Sequence, residues 1–334
     1  MIWHGRTTGR LEVYHTLLDP ALDDQDGSAA DPAVLAVRPE QQLSAPDSIH
    51  SVDARIALDA DGRAHLVWVD LFSGSQLRHV RLGPDGGVEL ADHALFGGRE
   101  AIDGDLSIAV DGGGDLHLVW AEDSTLRFAR GLVYSLVDGA TGDLVISATH
   151  LRTSQDSVFA GEPTLSLDTS GRPVIAHVLR SGPCGDLRLV ALDPSLDDRD
   201  GSAADRTVLV REDRTLRSCL FAPAVHRPTL AVGPDGRRHV AFFDLEISNS
   251  NSVQLAVWDA AGDPLLAPTA ASPLGEVDTD FGAAPPALAV AGPEVYLAWI
   301  NAVLNELEVR RVWRDSNGDG TPDAQADAEV VASR

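Results

Sequence analysis

The chain contains no lysine: all 26 of its basic residues are arginine, set against 51 acidic residues for a formal charge of −25 over 334 residues. A surface of that sign repels nucleic-acid phosphates and anionic lipid, so neither is an expected partner. Only two cysteines, one methionine and three tyrosines are present. No run of 18 apolar residues occurs, so no segment reads as a membrane-spanning helix, and no signal peptide is visible. Nor does any long stretch keep the 3.6-residue apolar period of an amphipathic helix, which leaves strands and turns to build the fold.

What is present is one phrase used five times. It reads ARIALDADGRAHLVWVD from Ala54, LSIAVDGGGDLHLVWAE from Leu106, PTLSLDTSGRPVIAHVL from Pro163, PTLAVGPDGRRHVAFFD from Pro228 and PALAVAGPEVYLAWIN from Pro286. Asp59, Asp111, Asp168, Gly233 and Ala291 hold one position in successive copies, at intervals of 52, 57, 65 and 58 residues. Repetition at such a period means one supersecondary unit used many times. Each unit continues with a third alternating run (77–82, 187–192, 253–258, 307–313) and a weaker fourth, such as 88–95 or 208–210. Four antiparallel strands per unit, repeated, form the blade of a β-propeller.

An aromatic residue closes the second run in most copies: Trp68, Trp120, Phe242 and Trp299, with His177 as the exception. Trp3 fits that slot and Leu11–Leu18 fits the third run, so the chain enters inside a blade whose innermost strand would lie upstream of Met1. The expectation is an all-β, six-bladed propeller forming one domain over 1–334. Its blades are 1–52 (partial), 53–104, 105–161, 162–226, 227–284 and 285–334.

Three of the turns between third and fourth strands carry dense acidic inserts. LDPALDDQDGSAAD (18–31) and LDPSLDDRDGSAAD (192–205) share twelve of fourteen residues, and DSNGDGTPDAQAD (315–327) is the third. Calcium takes six to eight oxygens at about 2.3–2.6 Å, and carboxylates at alternate positions followed by glycine let a loop wrap around it. Asp315, Asn317, Asp319 and Gly320 match that spacing, with the Thr321 carbonyl, Asp323 and Asp327 to complete the shell. This insert resembles the calcium loops of thrombospondin type 3 repeats, dockerins and FG-GAP propeller blades, although Ala326 stands where an EF-hand has Glu. In the other two, the ligand set is Asp24 and Asp26 with Asp19, Asp23 or Asp31, and Asp198 and Asp200 with Asp193, Asp197 or Asp205. The resemblance implies structural Ca²⁺. The other reading is a set of solvated acidic turns, against which five carboxylates in thirteen residues repel one another unless a cation holds them.

Cys184 and Cys219 fall in connections expected on one face, so they are candidates for a disulfide and for an oxidising, extracellular or cell-surface setting. Two residues past the aromatic slot stand Asp70, Glu122, Asp244 and Asn301, a possible ligand face for a cation or sugar hydroxyls; Asp and Asn also favour this place simply as turn initiators. His65, His117 and His239 recur with the repeat, which marks them as packing residues.

The blades are distantly similar to BNR-type propellers, which implies a sialidase-like glycosidase as one function. The Asp-box pattern Ser-x-Asp-x-Gly-x-Thr-Trp is missing, however, and Tyr14, Tyr134 and Tyr296 show no clear acidic partner in the sequence. The favoured expectation is a non-catalytic, calcium-stabilised binding or structural module of a larger secreted or surface protein, with carbohydrate or protein as ligand. A purely architectural repeat in a fibre or array is the third.

Overall fold

A computed structural model describes residues 1–6, 9–22, 35–45, 47, 49–71, 75–96, 102–124, 129–152, 158–181, 184–218, 225–244, 252–272, 285–301 and 306–314. They form six antiparallel sheets, each built from consecutive strands, which are the blades of the all-β, six-bladed propeller that the repeat predicts. Blade 1 has three strands, β1 (Ile2–Arg6), β2 (Leu11–Leu18) and β3 (Ala36–Gln42). Blade 2 runs β4 (His50–Leu58), β5 (Ala64–Leu71), β6 (Gln76–Leu82), β7 (Val88–Phe96). Blade 3 follows as β8 (Ile102–Val110), β9 (Leu116–Ser124), β10 (Ala129–Val137), β11 (Leu144–Arg152). Blade 4 is β12 (Val158–Leu167), β13 (Pro173–Ser181), β14 (Cys184–Leu192), β15 (Val210–Arg217), and blade 5 is β16 (Val225–Val232), β17 (Arg238–Asp244), β18 (Ser252–Trp258), β19 (Pro264–Ala270). The described strands of blade 6 are β20 (Ala287–Ala291), β21 (Glu294–Asn301) and β22 (Glu306–Arg314).

Packing divides the chain into two compact units. The first takes Met1–Arg127, Tyr134–Thr149 and Arg199–Ala203; the second takes Phe128–Val133, His150–Asp198 and Ala204–Arg334. Inside each, the aromatic slot supplies the core. In the first unit Trp68, wholly buried, packs with Val13, Leu66, Val80 and Leu82. In the second, Phe242 joins Val174, Leu187, Leu230 and Trp258, while Trp299 joins Phe243, Val253 and Leu297. Period-two alternation places these rings on one sheet face, where each buried aromatic is worth about 3–5 kcal/mol against truncation.

Two features depart from the sequence reading. Four of the five described first strands, β4, β8, β12 and β16, begin earlier than the phrase suggests, because each is interrupted by a register shift: between Val52 and Arg55, Ile102 and Leu106, Gly161 and Thr164, and His226 and Thr229. Asp53, Glu162 and Arg227 adopt left-handed backbone there, with φ of 54°, 53° and 50°. The extra residue makes a β-bulge that bends the strand, and Pro163 and Pro228 just after it lack the N–H that a regular ladder would need. Second, the run at 208–210 is not a strand: Arg206–Leu209 is a single helical turn capped by Asp205, and β15 starts at Val210.

Candidate functional site

Of the four residues two past the aromatic slot, Asp70, Asp244 and Asn301 are engaged by local partners. Asp70 Oδ1 accepts from Ser51 Oγ at 2.7 Å and from Trp68 Nε1 at 3.0 Å. Burial raises its pKa, against the pull of these donors and of Arg78. Arg78 itself forms two hydrogen bonds to Asp92. Glu122 is buried. Asp244 Oδ2 pairs with Arg217 at 2.6 Å, and that guanidinium lies 5.6 Å from the Phe242 ring centroid. Asn301 donates to Glu308 Oε1 at 2.6 Å; Glu308 pairs with Arg310, whose guanidinium sits 5.1 Å from the Trp299 ring centroid. The same grouping of acid or amide, arginine and aromatic thus recurs in different blades. Asp70 and Glu122 belong to the first unit, Asp244 and Asn301 to the second.

The slot three residues before the aromatic carries a polar ring in four blades, and each ring has a carboxylate in reach from its own hairpin or strand. His65 Nε2 lies 3.8 Å from Asp59, and His117 Nε2 lies 3.4 Å from Asp111. His239 feels the charge of Asp235, and Tyr296 donates to Glu294 Oε2 at 2.5 Å. Tyr296 therefore does have an acidic partner, contrary to the sequence reading, and Glu294 also pairs with Arg311 at 3.2 Å. The signal was legible: residues two apart on a strand share a face. The hydrogen bond to Glu294 is the main cause that raises the Tyr296 pKa. Tyr134 bonds His117 Nδ1 at 2.8 Å but is wholly buried, and Tyr14 donates to Gln42 at 3.2 Å.

In blade 2 the slot extends into a row of three histidines across β5, β6 and β7. His65 stacks on His79 at 5.4 Å between centroids, and His93 meets His79 edge-on at 5.2 Å. Burial, followed by the neighbouring histidines, lowers the His79 pKa to about 3. Among the described residues no three His, Cys, Asp or Glu side chains gather in a way that would hold a metal ion.

Of the acidic inserts, the one at 192–205 lies in the described residues. Asp193 Oδ1 accepts from Ser195 N and Oγ, Asp200 Oδ1 from Ser202 N, and Asp205 Oδ1 from Thr207 N and Oγ1. Each thus caps a turn two residues ahead. The insert's tip, 199–203, belongs to the first unit, where it adds a short parallel segment to the edge of β11. Gly201 N donates to Val145 O, Ser147 N donates to Ser202 O, and Arg199 pairs with Asp115 at 2.5 Å. Asp19 accepts from Ala21 N at 2.9 Å. Asp23, Asp24, Asp26, Asp31, Asp315, Asn317, Asp319, Thr321, Asp323 and Asp327 lie outside the described residues, as does Cys219 of the Cys184–Cys219 pair.

No protein-family model and no curated protein sequence matches the chain. Solved structures do. An ulvan lyase, of a polysaccharide lyase family, superposes with a TM-score of 0.55 at 10% identity, over 90% of this chain and 76% of its own. A protein of unknown function from Dyadobacter fermentans DSM 18053 superposes with a TM-score of 0.52 at 11% identity, over 82% of each. At these identities the likeness is one of fold.

Proposed function

We propose that this chain is a non-catalytic propeller module that binds carbohydrate or protein, or serves a structural role, within a larger secreted or surface protein. The observation that carries the reading is that Asp70, Asp244 and Asn301 are each tied to a local arginine, glutamate, serine or ring, a pattern of repeat architecture rather than of a unique reaction centre. The ulvan lyase likeness makes acidic polysaccharide the first ligand class to try. Binding on a glycan array with no turnover of the bound glycan is the expected outcome; turnover overturns it.

Structural Ca²⁺ in the inserts at 19–31, 193–205 and 315–327 belongs to the same proposal. Binding to the native state raises stability by mass action, so adding calcium should raise Tm and EDTA should lower it. An EDTA-insensitive Tm removes calcium from the account.

A second reading is a carbohydrate-active enzyme. It is favoured by the partly exposed Tyr296, whose hydroxyl is 2.5 Å from Glu294 with Arg311 beside it, a phenol with a base in place to take its proton. Turnover abolished by Tyr296→Phe with unchanged Tm would establish it.

A further inference from the structure

The turn between third and fourth strands is built alike in blades 2, 3 and 5. Gly86, Gly142 and Gly262, with φ of 77°, 80° and 85°, donate their N–H to the carbonyls of Gly83, Asp138 and Asp259. Each glycine also carries a side chain from the fourth strand of the blade before it, packed so closely that a Cβ would collide with it. On Gly86 lies Arg38 of β3, which donates to Asp85 O and pairs with the Asp85 carboxylate at 2.9 Å. On Gly262 lies Arg214 of β15, which donates to Gly262 O, and to Ala261 O at 3.1 Å. On Gly142 lies His93 of β7. His93 pairs with His79 one place along from Arg78 and Ala94, as Arg214 pairs with Leu189 one place along from Arg188 and Thr215, so the two hold the same repeat position. Two joints are thus closed by a permanent cation, and the third by a side chain of the type whose charge changes between pH 5 and 8.

The histidine does not bond its turn as the arginines do. His93 Nδ1 donates to Ala91 O at 3.1 Å, which leaves Nε2 as the ring's lone pair, buried against Gly142 and without a partner. Beside it His79 shares a hydrogen bond with His65 at 3.3 Å, and its Nδ1 is likewise buried and unpartnered. His65 packs against Gly139 of the same turn, whose carbonyl takes the Arg81 guanidinium. The carboxylates around the row are taken up elsewhere. Asp59 faces His65 at 3.8 Å but pairs with Arg63, and Glu89 pairs with Arg81. From blade 3, Asp138 accepts from the N–H groups of its own turn, Asp143 is exposed, Asp111 pairs with His117 and Asp115 with Arg199. A proton on His79 or His93 therefore places a buried N–H where no acceptor is in reach, near the Arg81 charge. Burial, and then His65, His93 and Arg81, lowers the His79 pKa to about 3, so the closed row binds fewer protons than a released one. The contact is intact above about pH 6.5 and weakens below it.

We propose that the joint between blades 2 and 3 is an acid-released latch: protons taken up by the row of His65, His79 and His93 free the turn at 138–143 from blade 2, while the arginine-held turns at 83–87 and 259–263 stay closed. Amide exchange at the three turn glycines, corrected for its intrinsic pH dependence and followed by NMR on the whole labelled chain, tests this. Between pH 7 and pH 5 protection at Gly142 should fall about twentyfold, the value for one proton taken up at 6.5 in the released form, and protection at Gly86 and Gly262 should hold. The double variant His79→Gln with His93→Gln is uncharged at those positions at every pH and should leave Gly142 no more sensitive to acid than Gly262. A parallel loss at all three glycines, or no loss at Gly142, overturns the proposal. So does a gain at Gly142, which a charged His93 bonding the turn as Arg214 does would give, or an undiminished fall in the double variant. The three glycines of the parent decide the matter even where the double variant does not fold.

Discussion

Two joints built from one phrase differ in what they bury. Between blades 4 and 5, Glu162 at the bulge of β12 accepts from the N–H of Arg227 at the bulge of β16 at 2.6 Å and pairs with Arg180 at 2.5 Å, while Leu230 is covered. Between blades 1 and 2, the bulge residue Asp53 is followed by Ala54, whose N–H reaches only His4 Nε2 at 3.3 Å, and Ile56 and Leu58 face solvent. The repeat sequence therefore specifies the strand, but its burial depends on the neighbour. A first strand turns its third-position residue toward the blade before it, as Leu230 does toward Val174 and Leu187, so that part of its burial depends on that neighbour.

The largest test of that difference is a matched pair of truncations. Leu230→Ala removes a covered side chain and leaves a cavity in a packed cluster, which should cost about 3 kcal/mol in denaturant unfolding. Ile56→Ala, at the same repeat position, should cost under about 0.5 kcal/mol. Equal costs would mean that the two joints do not differ in the way the burial indicates.

Acid should act on blades 2 and 5 alike. His79 in blade 2 and His239 in blade 5 are held neutral, with pKa lowered mainly by burial from 6.5 to about 3 and about 4. The unfolded chain takes up these protons below its ordinary value while the folded chain does not. Stability is thus full above about pH 6.5, falls by about 1.4 kcal/mol per pH unit per histidine below it, and levels off only beneath the folded pKa. At pH 5 the loss should be near 2 kcal/mol for each, and His79→Gln or His239→Gln should flatten the pH–stability curve whatever either costs at neutral pH. A variant curve as steep as the parent's would show that these rings are not what acid attacks.

The hydroxyl bonds of the closed joint are a smaller term. Thr164→Val and Ser166→Ala leave the N–H groups of Leu230 and Val232 without acceptors, for roughly 1 kcal/mol each. The double variant should keep blade 4 folded while speeding amide exchange at 230 and 232.

The blades were legible because period-two alternation and the aromatic slot are properties of single strands. The three-stranded sheet of blade 1 was legible too, since Trp3 falls in the slot of Trp68 and Leu11–Leu18 in that of the third run. The bulges were not: Asp53, Glu162 and Arg227 carry both signs of charge and none is a glycine, so no residue type marks the left-handed backbone at each. The pairing of Tyr296 with Glu294 was readable from their spacing, two apart on one strand. The fate of Asp70, Asp244 and Asn301 was beyond reach, because their arginine and glutamate partners lie on other strands whose register only the folded sheet defines.

The smallest expected effect sharpens the comparison most. Ile56→Ser together with Leu58→Ser should leave Tm of the isolated chain almost unchanged, because exposed side chains have little burial to lose. The same pair at the closed joint, Leu230→Ser and Val232→Ser, should abolish cooperative unfolding of blades 4 and 5. A first double variant that lowers Tm as much as the second would mean that Ile56 and Leu58 are as well packed as Leu230 and Val232, and the two joints would then not differ.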